Sequence, residues 1–383
     1  MSVQRIERAG RLRYRARVKS HGREVATRVF DRKVDAVAWE QDQLRRLRMG
    51  EWFDPRRGRV SLSAIAEDWL QSRRSLKRRT READAADWRL HIEPRFGRFP
   101  LASITAAEVG SWVGGLVETG YSASSVTRYL ATLRSMLAFA VSDGRITSNP
   151  AARVTAPSGG RARREGSFLT EEQLASLADA CTGRYAELVL VLGFGGLRWG
   201  ELAGLRVGDR VVVPGQGLRL RRAVLASGEG GELFVDTLKT GRARTVPLVE
   251  ALVPIVDRWS TGKTAGDWLF AAPEGGPMSE GNWKRSVRWT QAIKSIGVPS
   301  LRVHDLRHTA ASVWLAAGAD PKVVQRVLGH ASAAMTMDLY GHLIEQSLWD
   351  AANRVGGTTG ARNQTGNDDD GDQAAGGPAI RGL

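Results

Sequence analysis

Two stretches rich in Pro, Gly and Arg, "EWFDPRRGRV" at 51–60 and "NPAARVTAPSGGRARREGS" at 149–167, most constrain what this chain can fold into. Neither has an apolar period, so no helix or strand with a buried face can run through it. The 383 residues must therefore condense around separate cores. The hydrophobic pattern also changes at each break, from a period of two, to one near 3.6, to a mixture of both. Such a chain is multidomain and mainly α with small β-sheets.

The first section spans residues 1–55. In "RLRYRARVK" (11–19) the residues Arg11, Arg13, Arg15, Arg17 and Lys19 alternate with Leu12, Tyr14, Ala16 and Val18. A period of two puts the charges on one face of a strand and the apolar groups on the other. "SHG" reads as a turn, "REVATRVF" (23–30) as a partner strand and "VQRIE" (3–7) as a third. "KVDAVAWEQDQLRRLR" (33–48) reads as a helix packing under the sheet through Val37, Trp39, Leu44 and Leu47. Five like charges on one short strand repel unless an anion answers them. DNA is the favoured anion, and a solvated basic face is the alternative.

The net charge of +15 points the same way, because such a field attracts phosphate backbones and releases their counterions. Residues 1–59 hold 17 Lys and Arg against 8 Asp and Glu, so more than half of the excess lies in the first sixth of the chain. The single cysteine, Cys181, can form no internal disulfide and supplies no cysteine-rich metal site. No run reaches the roughly 18 apolar residues of a membrane span, and the start lacks the apolar core of a secretory signal. The expectation is a cytoplasmic protein without a membrane partner.

Between the breaks, residues 60–150 predict an all-helical domain with helices at 62–74, 80–92, 105–120 and 122–144. The last has Ser122 as N-cap, Gly144 as stop and a stripe of Val126, Tyr129, Leu130, Leu133, Leu137 and Val141. Residues 165–355 predict a larger mixed domain. It is dominated by helices, with β-branched runs in "RVVVPGQGLRLRRAVLA" and "GELFVDTLKTGRARTVPL" marking a small antiparallel sheet. Residues 356–383 are Gly, Asn and Asp rich and predict a disordered tail.

The chemistry concentrates in the third section. "VHDLRHT" (303–309) sets His304, Arg307 and His308 within five positions. Histidines at i and i+4 are a zinc pattern, but a zinc-protease pair expects Glu after the first histidine and this chain has Asp305. An Arg beside an imidazole equally suits a phosphate oxygen. "GFGGLRWGEL" places Arg198 and Glu201 at i and i+3, "DTLKTGRARTVPL" places Lys239 at an apparent hairpin tip, "VLGHAS" supplies His330 and "TMDLYGHL" supplies Tyr340. Taken singly, Arg198 could be a surface arginine paired with Glu201, Lys239 a turn lysine with Arg242 and Arg244 beside it, and Tyr340 a core tyrosine.

In this order and spacing the blocks resemble the catalytic domain of tyrosine recombinases, the phage-integrase family of site-specific DNA strand exchangers. The resemblance implies a mixed α/β tyrosine recombinase catalytic domain. By architecture alone, the helical section resembles the family's core-site binding domain and the N-terminal sheet its arm-site binding domain. It also implies catalytic roles for Arg198, Lys239, His304, Arg307, His330 and Tyr340, with Tyr340 as nucleophile, Glu201 supporting, and a 3′-phosphotyrosine intermediate. Two arginines would hold the phosphate, His304 would accept or relay the tyrosine proton, His330 would donate to a phosphate oxygen, and Lys239 would protonate the leaving 5′ oxygen.

The implied partners are double-stranded DNA at core and arm sites, a homo-tetramer on synapsed DNA, a host DNA-bending protein and an excision factor. No cofactor or metal is expected. "LIEQSLWDAANRV" (343–355) is an amphipathic segment that docks on a neighbouring protomer or on its own domain. Competing functions are a catalytically silent DNA-binding regulator, a chromosome-dimer resolvase and a relaxing topoisomerase.

Overall fold

The computed structural model describes residues 3–8, 11–20, 23–49, 57–157, 168–228, 230–238 and 241–329. Lys239, His330, Tyr340, the 343–355 segment and the 356–383 tail lie outside the described residues. The chain divides into two compact units, one of residues 1–162 with 227–230 and one of 163–226 with 231–383.

The first unit opens with an antiparallel sheet, β1 (Val3–Arg8), β2 (Arg11–Ser20) and β3 (Arg23–Phe30), in that order across the sheet. Ala16 and Val18 are buried as the alternation requires. The five charges are partly answered from within, since Arg13 pairs with Asp31 at 3.2 Å and Arg17 with Glu24 at 3.8 Å. A register shift between Val18 and Lys19 also breaks the alternation before its last charge. The helix α1 (Lys33–Arg48) covers the sheet with Val37, Trp39 and Leu47 half-buried, while Leu44 of the expected four is exposed. Its fully buried residue is Ala36, Trp39 meets Phe30 with ring centroids 5.7 Å apart, and Leu44 is 36% exposed.

The helical section comprises α2 (Leu62–Ser72), α3 (Arg78–Asp87), α4 (Glu93–Phe96), α5 (Ala106–Glu118) and α6 (Ala123–Ser142). A π-helical turn over Trp88–Ile92 joins α3 to α4. Ser122 caps α6 by accepting from the Ser125 amide, Gly144 stops it at φ 63°, and five of the six stripe residues are buried, with Val141 partly so. The second break begins later than its composition suggests. Asn149 donates to the Arg134 carbonyl at 2.9 Å and Arg134 donates to the Ala151 carbonyl at 2.9 Å, so residues up to about 154 still pack on α6.

The second unit contains α7 (Glu171–Ala180), α8 (Leu188–Gly195), α9 (Trp199–Ala203), β4 (Arg210–Val211), β5 (Gly217–Leu220), β6 (Arg222–Ala226), β7 (Leu233–Thr237) and β8 (Arg244–Pro247). It continues with α10 (Val253–Ser260), α11 (Glu280–Ser286), α12 (Trp289–Ser295), α13 (Asp305–Ala316) and α14 (Pro321–Leu328). Its strands form two sheets, β4-β5-β8 and β6-β7, all antiparallel. The strands flanking Lys239 therefore do not pair with each other. β7 pairs with β6 and β8 with β5, so the two strands that precede and follow Lys239 in sequence belong to different sheets. Cys181 lies in this unit's core, where burial pushes its thiol up to about 11. Among the described residues no helix is long and apolar enough to cross a membrane.

Candidate active site

α8 is apolar nearly all round, which buries it in the core of the second unit. The turn closes with Gly196 at φ 64°, a conformation L side chains avoid. A Cβ there would also collide with the Leu328 side chain and reach Ala310 Cβ at 3.2 Å. Two residues later Arg198 caps α9, and Glu201 three positions on turns back to it. The Glu201 carboxylate accepts from the Arg198 amide at 2.9 Å and from the Arg198 guanidinium at 2.9 Å. Arg198 keeps 29% of its side chain exposed while Glu201 is 3% exposed, so the pair presents a cation on a buried anionic base.

The same carboxylate receives a second guanidinium. Arg244, the first residue of β8, donates to both Glu201 oxygens at 2.9 and 2.7 Å. Burial pushes the Glu201 pKa up, but the bidentate Arg244 and then the Arg198 amide and charge outweigh it, and the net result is about 2. Glu201 is therefore ionised at any working pH.

Arg307 lies on the first turn of α13 and is 3% exposed. Its guanidinium donates to the Gly196 carbonyl at 2.7 Å and to the Leu328 carbonyl. One side chain thus ties the turn before Arg198 to the last turn of α14. His304 is the N-cap residue of α13, with its ring edge-on to His308 at 5.5 Å between centroids. The protein packed about the ring, then the charges of His308, Arg307 and Arg198, hold its pKa below the usual histidine range even though the residue as a whole is exposed. The buried Asp305 beside it accepts from the Arg302 amide at 2.8 Å and pairs with the Arg302 guanidinium at 2.8 Å, which anchors the start of the helix. Among the described residues no third metal ligand joins His304 and His308.

The second unit thus brings together Arg198, Glu201, His304 and Arg307. Arg11, Arg13, Arg15, Arg17 and Lys19 form a separate basic strand in the first unit. Arg244 is the side chain of this cluster to which motif reading gave no role. Its signal is strand parity: it shares a face of β8 with the fully buried Val246, so it must point inward. Chemically, two fixed guanidiniums beside an uncharged imidazole suit an oxyanion whose negative charge grows during reaction.

The phage integrase family matches residues 167–347, and the phage integrase central domain matches residues 62–156. Fold, site and family match define a site-specific DNA recombinase of the tyrosine type. The integrase of Mycobacterium phage D29 is 30% identical over 325 residues, covering 81% of this chain and 84% of that one. Tyrosine recombinase XerC of Corynebacterium efficiens is 29% identical over 260 residues, 66% of this chain and 77% of that one. The fold is also that of the Tn1549 transposon integrase in complex with transposon right end DNA, with a TM-score of 0.63, 22% identity, and coverage of 78% of this chain and 100% of that one. A lambda integrase tetramer bound to a Holliday junction gives a TM-score of 0.53 and 19% identity, covering 87% of this chain and 96% of that one. The chain belongs to the phage integrase family.

Proposed function

We propose that this recombinase exchanges strands by transferring a DNA phosphoryl group to and from Tyr340. The Tyr340 oxygen attacks the scissile phosphorus, a 3′-phosphotyrosine forms, and the bond to the 5′ oxygen of the next nucleotide breaks. Attack adds charge to oxygens already negative, and Arg198 and Arg307 neutralise it. A phenol of ordinary pKa about 10 must shed its proton as it attacks. His304, held uncharged by its surroundings, accepts or relays that proton. His330 donates to a phosphate oxygen and Lys239 protonates the departing 5′ oxygen. A 5′ hydroxyl from a second strand then reverses the step. Each bond broken is matched by one formed, so the exchange needs no energy from a nucleotide.

The observation that carries this reading is the meeting of three side chains: Arg307 bonds the Gly196 carbonyl two residues before Arg198, and the charges of both arginines act on His304 at the start of the same helix. We assign residues 1–55 to arm-site DNA, 60–150 to core-site DNA and 165–355 to catalysis, acting in the cytoplasm as a homo-tetramer on two duplexes. A host DNA-bending protein and an excision factor are candidate accessories. Integration or excision of a mobile element is favoured over dimer resolution because the phage D29 match extends over 81% of the chain and the XerC match over 66%.

The test is a plasmid carrying the DNA that flanks this gene, incubated with protein in EDTA, quenched with SDS and examined for protein on DNA 3′ ends. An adduct that requires Tyr340 is expected. Specific binding without an adduct, even on a nicked substrate, would leave the regulator reading in its place. Product formed without a partner site would indicate a topoisomerase.

A further inference from the structure

We propose that Arg244 is a positioning residue of the active site, clamping Glu201 and the end of α14 so that Arg198 remains available to the scissile phosphate. The inference rests on the phosphate-binding roles given above to Arg198 and Arg307. Three observations support it. The Arg244 guanidinium grips both Glu201 oxygens, and its Nε donates to the Val327 carbonyl at 2.8 Å. Arg307 holds the next carbonyl, that of Leu328. Two arginines therefore satisfy successive carbonyls at a helix C-terminus, where no intrahelical donor remains. Gly329 then turns away at φ 67°, and a Cβ on it would meet Arg244 Cδ at 2.9 Å, Nε at 3.0 Å and Cζ at 3.1 Å. Arg244 fills the space that any larger residue would need, immediately before His330.

A purely structural ion pair would affect folding alone. The geometry predicts more, because Glu201 has two guanidinium partners and one of them is catalytic. Without Arg244 the buried carboxylate must draw all its compensation from Arg198, which turns that side chain from the phosphate toward Glu201. DNA affinity depends on many phosphate contacts spread over the protein, so it should barely change.

The experiment uses the full chain and a nicked duplex, cut from the DNA flanking this gene, on which the wild-type protein forms its adduct. Adduct rate at saturating protein and Kd are measured separately, alongside the melting temperature. Arg244→Met should slow adduct formation by about 100-fold while shifting Kd less than about threefold, because the lost interaction acts on the transition state. Glu201→Gln added to Arg244→Met should restore about tenfold, since it removes the charge that captures Arg198. Arg244→Lys, which keeps the charge but not the fork, should fall between and replaces the Met variant if that one does not fold.

A rate within threefold of wild type, a parallel loss of rate and affinity, or no gain in the double variant would overturn the proposal. Arg198→Ala and Arg307→Ala serve as controls. If either cleaves at the wild-type rate, the reading of the site itself fails, whatever Arg244 does.

Discussion

Arg307 donates to the carbonyl of Gly196 at 2.7 Å across 111 positions of sequence. This bond joins α13 to the turn that launches Arg198, and it requires the Gly196 backbone to stay where its φ of 64° puts it. Gly196→Ala should destabilise the second unit by about 1–3 kcal/mol through the strained backbone, with more from the clash against Leu328. Urea unfolding gives the stability, and the adduct assay should show a slower rate in the fraction that folds. An unchanged midpoint would mean that the turn relaxes without cost.

The Glu201 carboxylate makes stability depend on pH in a definite direction. Its pKa is about 2 in the folded chain against an ordinary 4.5. A depressed carboxylate stabilises the fold above its unfolded pKa, and that contribution is lost as pH falls from about 4.5 toward 2. Wild type should therefore lose stability more steeply than Glu201→Gln over that window, by an amount on the order of a few kcal/mol. Parallel denaturation curves for the two proteins from pH 5 to 3 would contradict the assignment.

His304 is held below the ordinary histidine pKa of 6.5. Proton acceptance needs the neutral ring, so adduct formation should fall to half only at a pH below 6.5. His304→Gln should lower the rate by about 100-fold or more and abolish that acid limb. A decline already half complete at pH 7 would show a different group titrating.

Salt dependence should separate the cations of the N-terminal strand. Arg13 and Arg17 already face Asp31 and Glu24, whereas among the described residues no carboxylate pairs Arg11, Arg15 or Lys19. Replacing Arg11 or Arg15 by Ala should reduce the slope of log affinity against log salt on arm-type DNA by about one each. Arg13→Ala and Arg17→Ala should reduce it less. Equal slopes for all four variants would remove this strand from the interface.

Much of the local structure is legible in the residues themselves. Ser122 and Gly144 bracket α6, the alternation of 11–19 places Ala16 and Val18 under their sheet, and the helix over 33–48 forms within its expected bounds. Caps, turns and periods act over a few residues, so a short stretch of sequence contains all the chemistry that decides them. The ordered blocks around Arg198, His304 and Arg307 likewise carry the resemblance to the phage integrase family, because that resemblance lies in residue types and their order along the chain.

What tertiary structure alone decided lies between segments far apart in the chain. Ala36 is the fully buried residue of α1 while Leu44 is exposed. The strands about Lys239 take partners in different sheets. Arg307 is spent partly on two backbone carbonyls, and Arg244, unmarked by any motif, shares Glu201 with Arg198. These outcomes follow from burial and from which carbonyls and carboxylates are left without donors once the core closes, and those quantities do not exist until the chain has folded.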